Sequence, residues 1–286
     1  MANIAADTAL VTGASSGIGK QAAIRLAAKG FRVIAAARRL DRLEELASRH
    51  ENITARQVDL SDPTDRDDFC RYLAGLPEPV GVLVNNAGYA TRGVLEDVSL
   101  EKIKRLFEVN LFALIQVTQA CIPAMRKKRN GIIVNVSSMV GRFSFPGSSV
   151  YAASKYAVEG ISDGLRIELA PFGIRVVTIR PGAIATEFGQ VAEQMTGDLL
   201  ATTDPDYRPF YQTAKAATEK IFADEPPSQP DLIADLILQA VSSKQPKAVY
   251  AAGSKTGEFL GRRAELDDEG FFHFMLERFN LSELKI

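Results

Sequence analysis

The stretch Thr8-Ala9-Leu10-Val11-Thr12-Gly13-Ala14-Ser15-Ser16-Gly17-Ile18-Gly19 reads as a short apolar strand, a glycine-rich turn and the start of a helix. Ile18, Ala22 and Leu26 continue at helical spacing as far as Ala28. Gly13 permits the tight turn, Gly17 lets backbone approach a phosphate, and Gly19 allows close packing of helix on strand. The free N–H groups of the helix start then face a pyrophosphate. The spacing is G-x-x-x-G-x-G, a variant of the longer-known G-x-G-x-x-G.

Outward from this unit the chain keeps alternating. Apolar runs at Phe31–Ala37, Ile53–Val58, Val80–Val84, Gly131–Val136 and Ile174–Ile179 predict strands. Between them lie helical patterns at Leu40–His50, from the Ser61-Asp62-Pro63 cap to Ala74, from the Ser99 cap to about Met125, and at Tyr151–Ala170. Most of the strands are apolar throughout, so the sheet is parallel and covered on both faces. This is an α/β, doubly wound Rossmann-type fold, in which ligands bind at the carboxyl ends of the strands. Gly13, Arg38, Asp59, Asn85 and Ser138 all fall at such ends. Beyond Pro181-Gly182 the pattern loosens over 189–230. Helices are expected at Tyr207–Phe222 and Asp231–Val241, a seventh strand at Ala248–Ala251, and a Phe-rich helical tail over 254–286. Residues 1–286 are expected to form a single catalytic domain.

Composition narrows the class. The 286 residues are 46% apolar and 24% charged, with a net charge of −1. No global pull toward nucleic acid or acidic membrane follows. No uninterrupted apolar run suggests a membrane span, and the first residues lack a signal-peptide pattern. The two cysteines, Cys70 and Cys121, fit a reducing compartment, so a cytoplasmic location is expected. With only His50 and His273, a Ser-His-Asp hydrolase or a His-rich metal site is disfavoured, and no metal is expected.

The chemistry-bearing residues lie around the fifth strand. Ser138 ends that strand, and Tyr151 and Lys155 stand one turn apart on one helix face. An ammonium beside a phenol favours the phenolate, so Lys155 is expected to lower the Tyr151 pKa toward the working range of an acid/base catalyst.

With these motifs in place the chain resembles the short-chain dehydrogenases/reductases. The matching elements are Thr12-Gly13-x3-Gly17-x-Gly19, Asp59-Leu60, Asn85-Asn86-Ala87-Gly88, Asn110, Ser138, Tyr151-x3-Lys155, and Pro181-Gly182 followed by Thr186. The resemblance covers about Thr8 to Ala251. It implies that Tyr151 exchanges a proton with the substrate oxygen and that Ser138 hydrogen-bonds that oxygen. It further implies that Lys155 holds the nicotinamide ribose and that Asn110 belongs to a proton relay. The cofactor is expected to be held by Gly13, Ser15, Ser16, Gly17, Ile18, Gly19, Arg38, Asp59, Leu60, Asn86, Ala87, Gly88, Tyr151, Lys155, Pro181, Gly182, Ile184 and Thr186.

Cofactor choice is read at the end of the second strand. An NAD site places an acid there to accept the ribose 2′-hydroxyl. Here Ala37 holds that place and Arg38-Arg39 follow. Arg38 suits a 2′-phosphate, with help from Ser15, so NADP(H) is expected over NAD(H). Met139, Val140, Phe143, Phe145 and Phe188 are expected in the substrate pocket, beside Tyr89, Ala90, Ile184, Met195, Leu199 and Leu200. This apolar set favours a ketone of steroid or retinoid type over a sugar or a charged acid. A small-molecule carbonyl or alcohol is the expected partner. A reductase of acyl-carrier substrates, with Arg126-Lys127-Lys128-Arg129 as the docking patch, is the enzymatic alternative. A non-catalytic NADPH-binding sensor or scaffold is the alternative from another class. Excess apolar surface on the two central helices predicts a homodimer, with a tetramer as the second outcome, and the tail is expected to cap the surface beyond the seventh strand.

Overall fold

The computed structural model describes residues 8–189, 201 and 203–284. Seven parallel strands form one sheet in the order β3-β2-β1-β4-β5-β6-β7. They are β1 Thr8–Thr12, β2 Arg32–Ala37, β3 Ile53–Gln57, β4 Val82–Asn85, β5 Gly131–Val136, β6 Ile174–Pro181 and β7 Val249–Ala252. All seven fall where the sequence predicts them, within a residue or two at the ends.

The crossovers are α1 Gly17–Ala28, α2 Leu40–Arg49, α3 Pro63–Ala74, α4 Leu100–Phe107, α5 Ala113–Lys128 and α6 Ser149–Leu169. Asp62 caps α3 by accepting from the N–H of Thr64 at 2.8 Å, with Pro63 in the first turn. After β6 come α7 Arg208–Ala223 and α8 Pro230–Ser242; after β7 come α9 Thr256–Glu265 and α10 Asp268–Arg278. The tail is thus two helices, because Asp267 accepts from the N–H of Gly270 at 2.8 Å and restarts the helix there.

Alternate residues of each strand face opposite layers. Val11, Val33, Val84 and Val134 meet Ala23 and Leu26 of α1, Leu43 of α2 and Ile237 of α8. Leu10, Ile34, Leu83 and Ile133 meet Phe69 of α3 and Val117 and Met125 of α5. A third cluster joins Met139, Val140 and Phe143 to Phe259, Phe271 and Phe279 of the tail.

Leu100 to Lys128 forms one continuous run, long and apolar enough by composition to cross a membrane, against the expectation of no such helix. Its buried residues Leu106, Ala113, Val117, Cys121 and Met125 pack within the clusters around the sheet, the ordinary place of a core helix in this architecture. Within the run lies a π-helical turn at Glu108–Phe112, which contains Asn110. Such turns recur at functional sites.

Candidate active site

The carboxyl ends of β1 and β4 are tied together first. Thr12 Oγ1 accepts from the backbone N–H of Asn86 at 3.0 Å and of Ala87 at 3.1 Å. Asn86 Nδ2 donates back to the Thr12 carbonyl at 3.0 Å. Gly13 takes φ +67° and Gly17 φ +52°, the left-handed region that favours glycine. A Cβ on Gly19 would overlap the Gly13 carbonyl and Asn86 Nδ2, so its role is the close packing read from the sequence. Ser16 caps α1 without a side-chain hydrogen bond, and the first turn holds no acid. The opening N–H groups of α1 therefore remain available to an anion.

A cavity of about 550 Å³ runs from this turn to the helix of Tyr151. Of the expected cofactor residues, Gly13, Ser16, Gly17, Ile18, Asn86, Ala87, Gly88, Tyr151, Lys155, Pro181, Gly182, Ile184 and Thr186 line it. A Cβ on Gly17 would stand 2.9 Å from Thr186 Cγ2, so glycine keeps the turn open beneath the segment after β6. Free helix-start donors above a backbone-lined trough suit a pyrophosphate, and the residues present fit a dinucleotide.

Five expected cofactor residues are not among those lining the cavity: Gly19, packed as described above, and Ser15, Arg38, Asp59 and Leu60. Ser15 is buried and accepts from Arg39 Nε at 3.2 Å. Asp59 Oδ1 accepts from the Ser61 N–H at 2.9 Å and the Ser61 hydroxyl at 2.7 Å. Leu60 is a core residue. Arg38 is exposed, and its charge helps hold the Asp59 carboxyl below its usual range, after the hydrogen bonds from Ser61. The guanidinium at the glycine turn is that of Arg39, which also donates to Ser16 Oγ at 2.8 Å and to Glu187 Oε2 at 2.7 Å. Arg42 donates to the other oxygen of Glu187. Hydrogen bonds from Arg42 and Arg39 bring the Glu187 carboxyl down to about 2.

At the other end, Ser138, Tyr151 and Lys155 come together on one wall. Burial pushes the Tyr151 phenol up to about 12, while a hydrogen bond with Ser138 and the charge of Arg92 oppose the rise. The expectation that Lys155 lowers this pKa is corrected here. Lys155 Nζ lies 5.9 Å from the Tyr151 ring centroid and donates to the Val136 carbonyl at 3.0 Å. Its own burial brings it down to about 8, with Glu159 one turn on working against the fall. Glu159 is itself held by a two-pronged bond from Arg180, at 3.0 and 2.8 Å.

Asn110 sits below this wall. Its Nδ2 donates at 3.0 Å to the Tyr89 carbonyl and at 3.0 Å to Ser154 Oγ, and its Oδ1 accepts from the Tyr89 N–H at 3.0 Å. The side chain thus fixes the Asn85–Tyr89 loop against α6.

The substrate end is lined by Met139, Val140, Phe145 and Phe188, as expected. Phe143 is not in the wall: it is 3% exposed and packs on Phe259, with ring centroids 5.4 Å apart. Ala90 is likewise buried behind the wall. Met195, Leu199 and Leu200, within the segment 189–209 that the sequence predicts to be an irregular lid, lie outside the described residues. Residues not singled out from sequence complete the wall: Arg92, Phe210, Tyr211, Phe222 and Phe279. Tyr211 donates to Asp97 at 2.7 Å and accepts from the Val94 N–H at 2.7 Å, tying α7 to the loop that carries Arg92. The tail therefore backs the substrate end, with Phe279 in the wall itself. Among the described residues, no group of His, Cys, Asp or Glu is placed to hold a metal.

Comparison with known proteins agrees with this arrangement. Residues 7–197 match the model of the short chain dehydrogenase family. An uncharacterized oxidoreductase of Bacillus subtilis, YusZ, is 37% identical over 244 residues, 84% of this chain and 86% of that one. Human retinol dehydrogenase 8 is 32% identical over 249 residues, 84% of this chain and 79% of that one. A short-chain dehydrogenase from Streptomyces avermitilis superposes with a TM-score of 0.80 at 31% identity, covering 98% of each chain. One from Sphingobium yanoikuyae, solved with NADPH, gives 0.70 at 28% identity, covering 97% of this chain and 96% of that one. The chain belongs to the short-chain dehydrogenase family and is an NAD(P)-dependent oxidoreductase.

Proposed function

We propose that the protein is an NADP(H)-dependent reductase of mostly apolar ketones, with residues 1–286 acting as one catalytic unit. The observation that carries this reading is the continuity of the cavity. One trough joins a phosphate-ready helix start to a buried phenol that shares its wall with Ser138. When bound, the nicotinamide supplies the hydride.

The chain's own residues do the rest. Tyr151 holds its proton firmly in the buried pocket and delivers it to the carbonyl oxygen as charge develops there. The Ser138 hydroxyl donates a hydrogen bond to the same oxygen, and its position is set by the end of β5. Lys155 is anchored on Val136, beside the expected ribose position, and Asn110 keeps the neighbouring loop in place. Arg38 and Arg39, with no acid at the end of β2, favour a 2′-phosphate over a free 2′-hydroxyl. The NADPH-bound relative and the retinol dehydrogenase support the cofactor and an apolar substrate.

The carrier-protein alternative loses its docking patch. Arg126–Arg129 ends α5 immediately before β5 begins, at the amino edge of the sheet, opposite the site. There Arg129 donates to the Pro171 carbonyl at 2.6 Å. Assembly as a homodimer through α5 and α6 is part of the proposal. Phe112, at the end of the π turn before α5, and Tyr156 and Ile161 on α6 stand 48%, 45% and 36% exposed.

A panel of aliphatic, cyclic and aromatic ketones, run with NADPH and with NADH, tests the reading. Faster oxidation of NADPH with apolar ketones is expected. Binding of NADPH without turnover across the panel would support the sensor alternative instead.

A further inference from the structure

Arg92 is out of keeping with the apolar wall it belongs to. It lines the same cavity as Ser138, Tyr151 and Lys155. Its hydrogen-bond partner among the described residues is the hydroxyl of Ser148, itself 1% exposed. A guanidinium carries five donors and stays charged inside proteins. One hydroxyl leaves most of that capacity unused, and withdrawing an unpaired charge from water is costly. Two other withdrawn arginines are met by carboxylates. Arg66 meets Glu108 at 3.0 Å, and Arg180 meets Glu159 at 2.8 Å. No carboxylate among the described residues pairs with Arg92.

Arg92 and Tyr151 line the same cavity, and each lies within the other's electrostatic reach. The loop that carries it is held rigidly, since Gly93 donates to the Gly147 carbonyl at 2.9 Å and Val94 to Tyr211 at 2.7 Å. Among the described residues, the charged groups lining the cavity are Arg92, Lys155, Lys215 and Glu219; Lys215 and Glu219 stand exposed on α7. The interior of the cavity is therefore cationic as well as apolar.

We propose that Arg92 determines substrate specificity by taking a carboxylate of the substrate, so that the preferred substrates are apolar oxo acids. The inference rests on reading the cavity as a carbonyl-reductase site, and it names the substrate class of that site. The carboxylate is unchanged in the reaction. A hydride adds to the oxo carbon, the C=O π pair takes the Tyr151 proton, and a hydroxy acid and oxidised nicotinamide result. Arg92 supplies a paired, charge-assisted contact that a neutral ketone lacks. The expectation against charged acids came from the aliphatic and aromatic lining alone and left this residue out.

The test uses the full chain with NADPH and two matched pairs: benzoylformate and benzoylpropionate, each against its methyl ester. For at least one pair, kcat/KM of the acid is expected to exceed that of the ester by roughly tenfold or more. In Arg92→Gln that acid-to-ester ratio is expected to fall by a similar factor, and Arg92→Lys to retain part of it. Phenylbutyrate, which has no oxo group, provides a readout independent of turnover. Its binding to the NADPH complex, followed by cofactor fluorescence, is expected to weaken about tenfold in Arg92→Gln. Ratios near one for both pairs in the wild type, or phenylbutyrate binding indifferent to Arg92, would overturn the inference. Turnover of the esters and neutral ketones in that case would leave the reductase reading standing. If nothing on the panel is reduced, the reductase reading fails, and phenylbutyrate binding still decides the role of Arg92.

Discussion

Arg39 Nη1 donates to Glu187 Oε2 at 2.7 Å, and this contact joins the end of β2 to the segment that follows β6. The same guanidinium touches Ser15 and Ser16 in the glycine turn. An anion of the chain itself thus sits on the cation nearest the turn. A 2′-phosphate arriving at the end of β2 would meet an arginine already engaged. Glu187→Ala is therefore expected to tighten NADPH binding several-fold relative to NADH. Arg38→Ala and Arg39→Ala are expected to weaken NADPH binding by roughly ten- to a hundredfold, the loss of a charged hydrogen-bond partner. NADH should change little in each. Fluorescence titration of both cofactors checks this, and equal effects on the two would contradict it.

The burial of Lys155 has a measurable consequence for stability. Its pKa is about 8 in the folded chain against an ordinary 10.5. Below pH 8 the buried ammonium is charged in both states and weakens the fold. Between those two values the unfolded chain binds more protons, so the wild type gains stability as pH rises. Lys155→Met lacks this term. The stability of the variant minus that of the wild type should therefore fall between pH 8 and 10.5, by an amount on the order of 3 kcal/mol. Urea denaturation at pH 7.5 and pH 10.5 measures it. A difference that is constant or rises with pH would show that Lys155 is not held in a desolvating site.

The tail is a wall of the pocket, so it should affect both folding and selectivity. Phe279 is 2% exposed, lies 5.5 Å from the Phe145 ring and lines the cavity. Phe279→Ala is expected to cost about 3–5 kcal/mol of stability. It should also raise KM for bulky ketones more than for small ones. Thermal denaturation and a size series of ketones test both effects. Unchanged selectivity would place Phe279 in the core alone.

Exposed Phe112, at the π turn before α5, and Tyr156 and Ile161 on α6 call for a partner surface. Gly160, on α6 beside Ile161, has open space over it where a second helix can approach. Light scattering at micromolar concentration is expected to give twice the 31.1 kDa chain mass. Phe112→Asp combined with Ile161→Asp should give the monomer. A wild-type monomer would contradict the helix-pair argument.

Much of the fold was legible because parallel strands buried on both faces leave continuous apolar runs, as at Gly131–Val136. The glycine turn was legible because Gly13 and Gly17 need positive φ and Gly19 tolerates no Cβ. What escaped depends on tertiary geometry. Phe143 and Phe145 alternate in chain and read alike, yet only Phe145 reaches the cavity. Arg38 is exposed while Arg39 bonds Ser15 and Ser16, and the sequence pair hides which one meets the glycine turn. The π turn at Asn110 has no hydrophobic period of its own. Arg92 is a lone arginine in a loop, with no spacing to mark it, and only the folded cavity shows what it faces.

The central claim is that Tyr151 supplies the proton in NADPH-dependent carbonyl reduction. Tyr151→Phe keeps the ring, and with it the contact to Phe188 at 5.5 Å, and removes only the hydroxyl. The measurement is kcat with the best ketone of the panel, alongside NADPH affinity of the same preparation. The expected result is a fall in kcat of about 10²–10⁴-fold with NADPH binding nearly intact. Retention of more than about a tenth of wild-type kcat would contradict the claim, because loss of a positioned general acid costs far more than that.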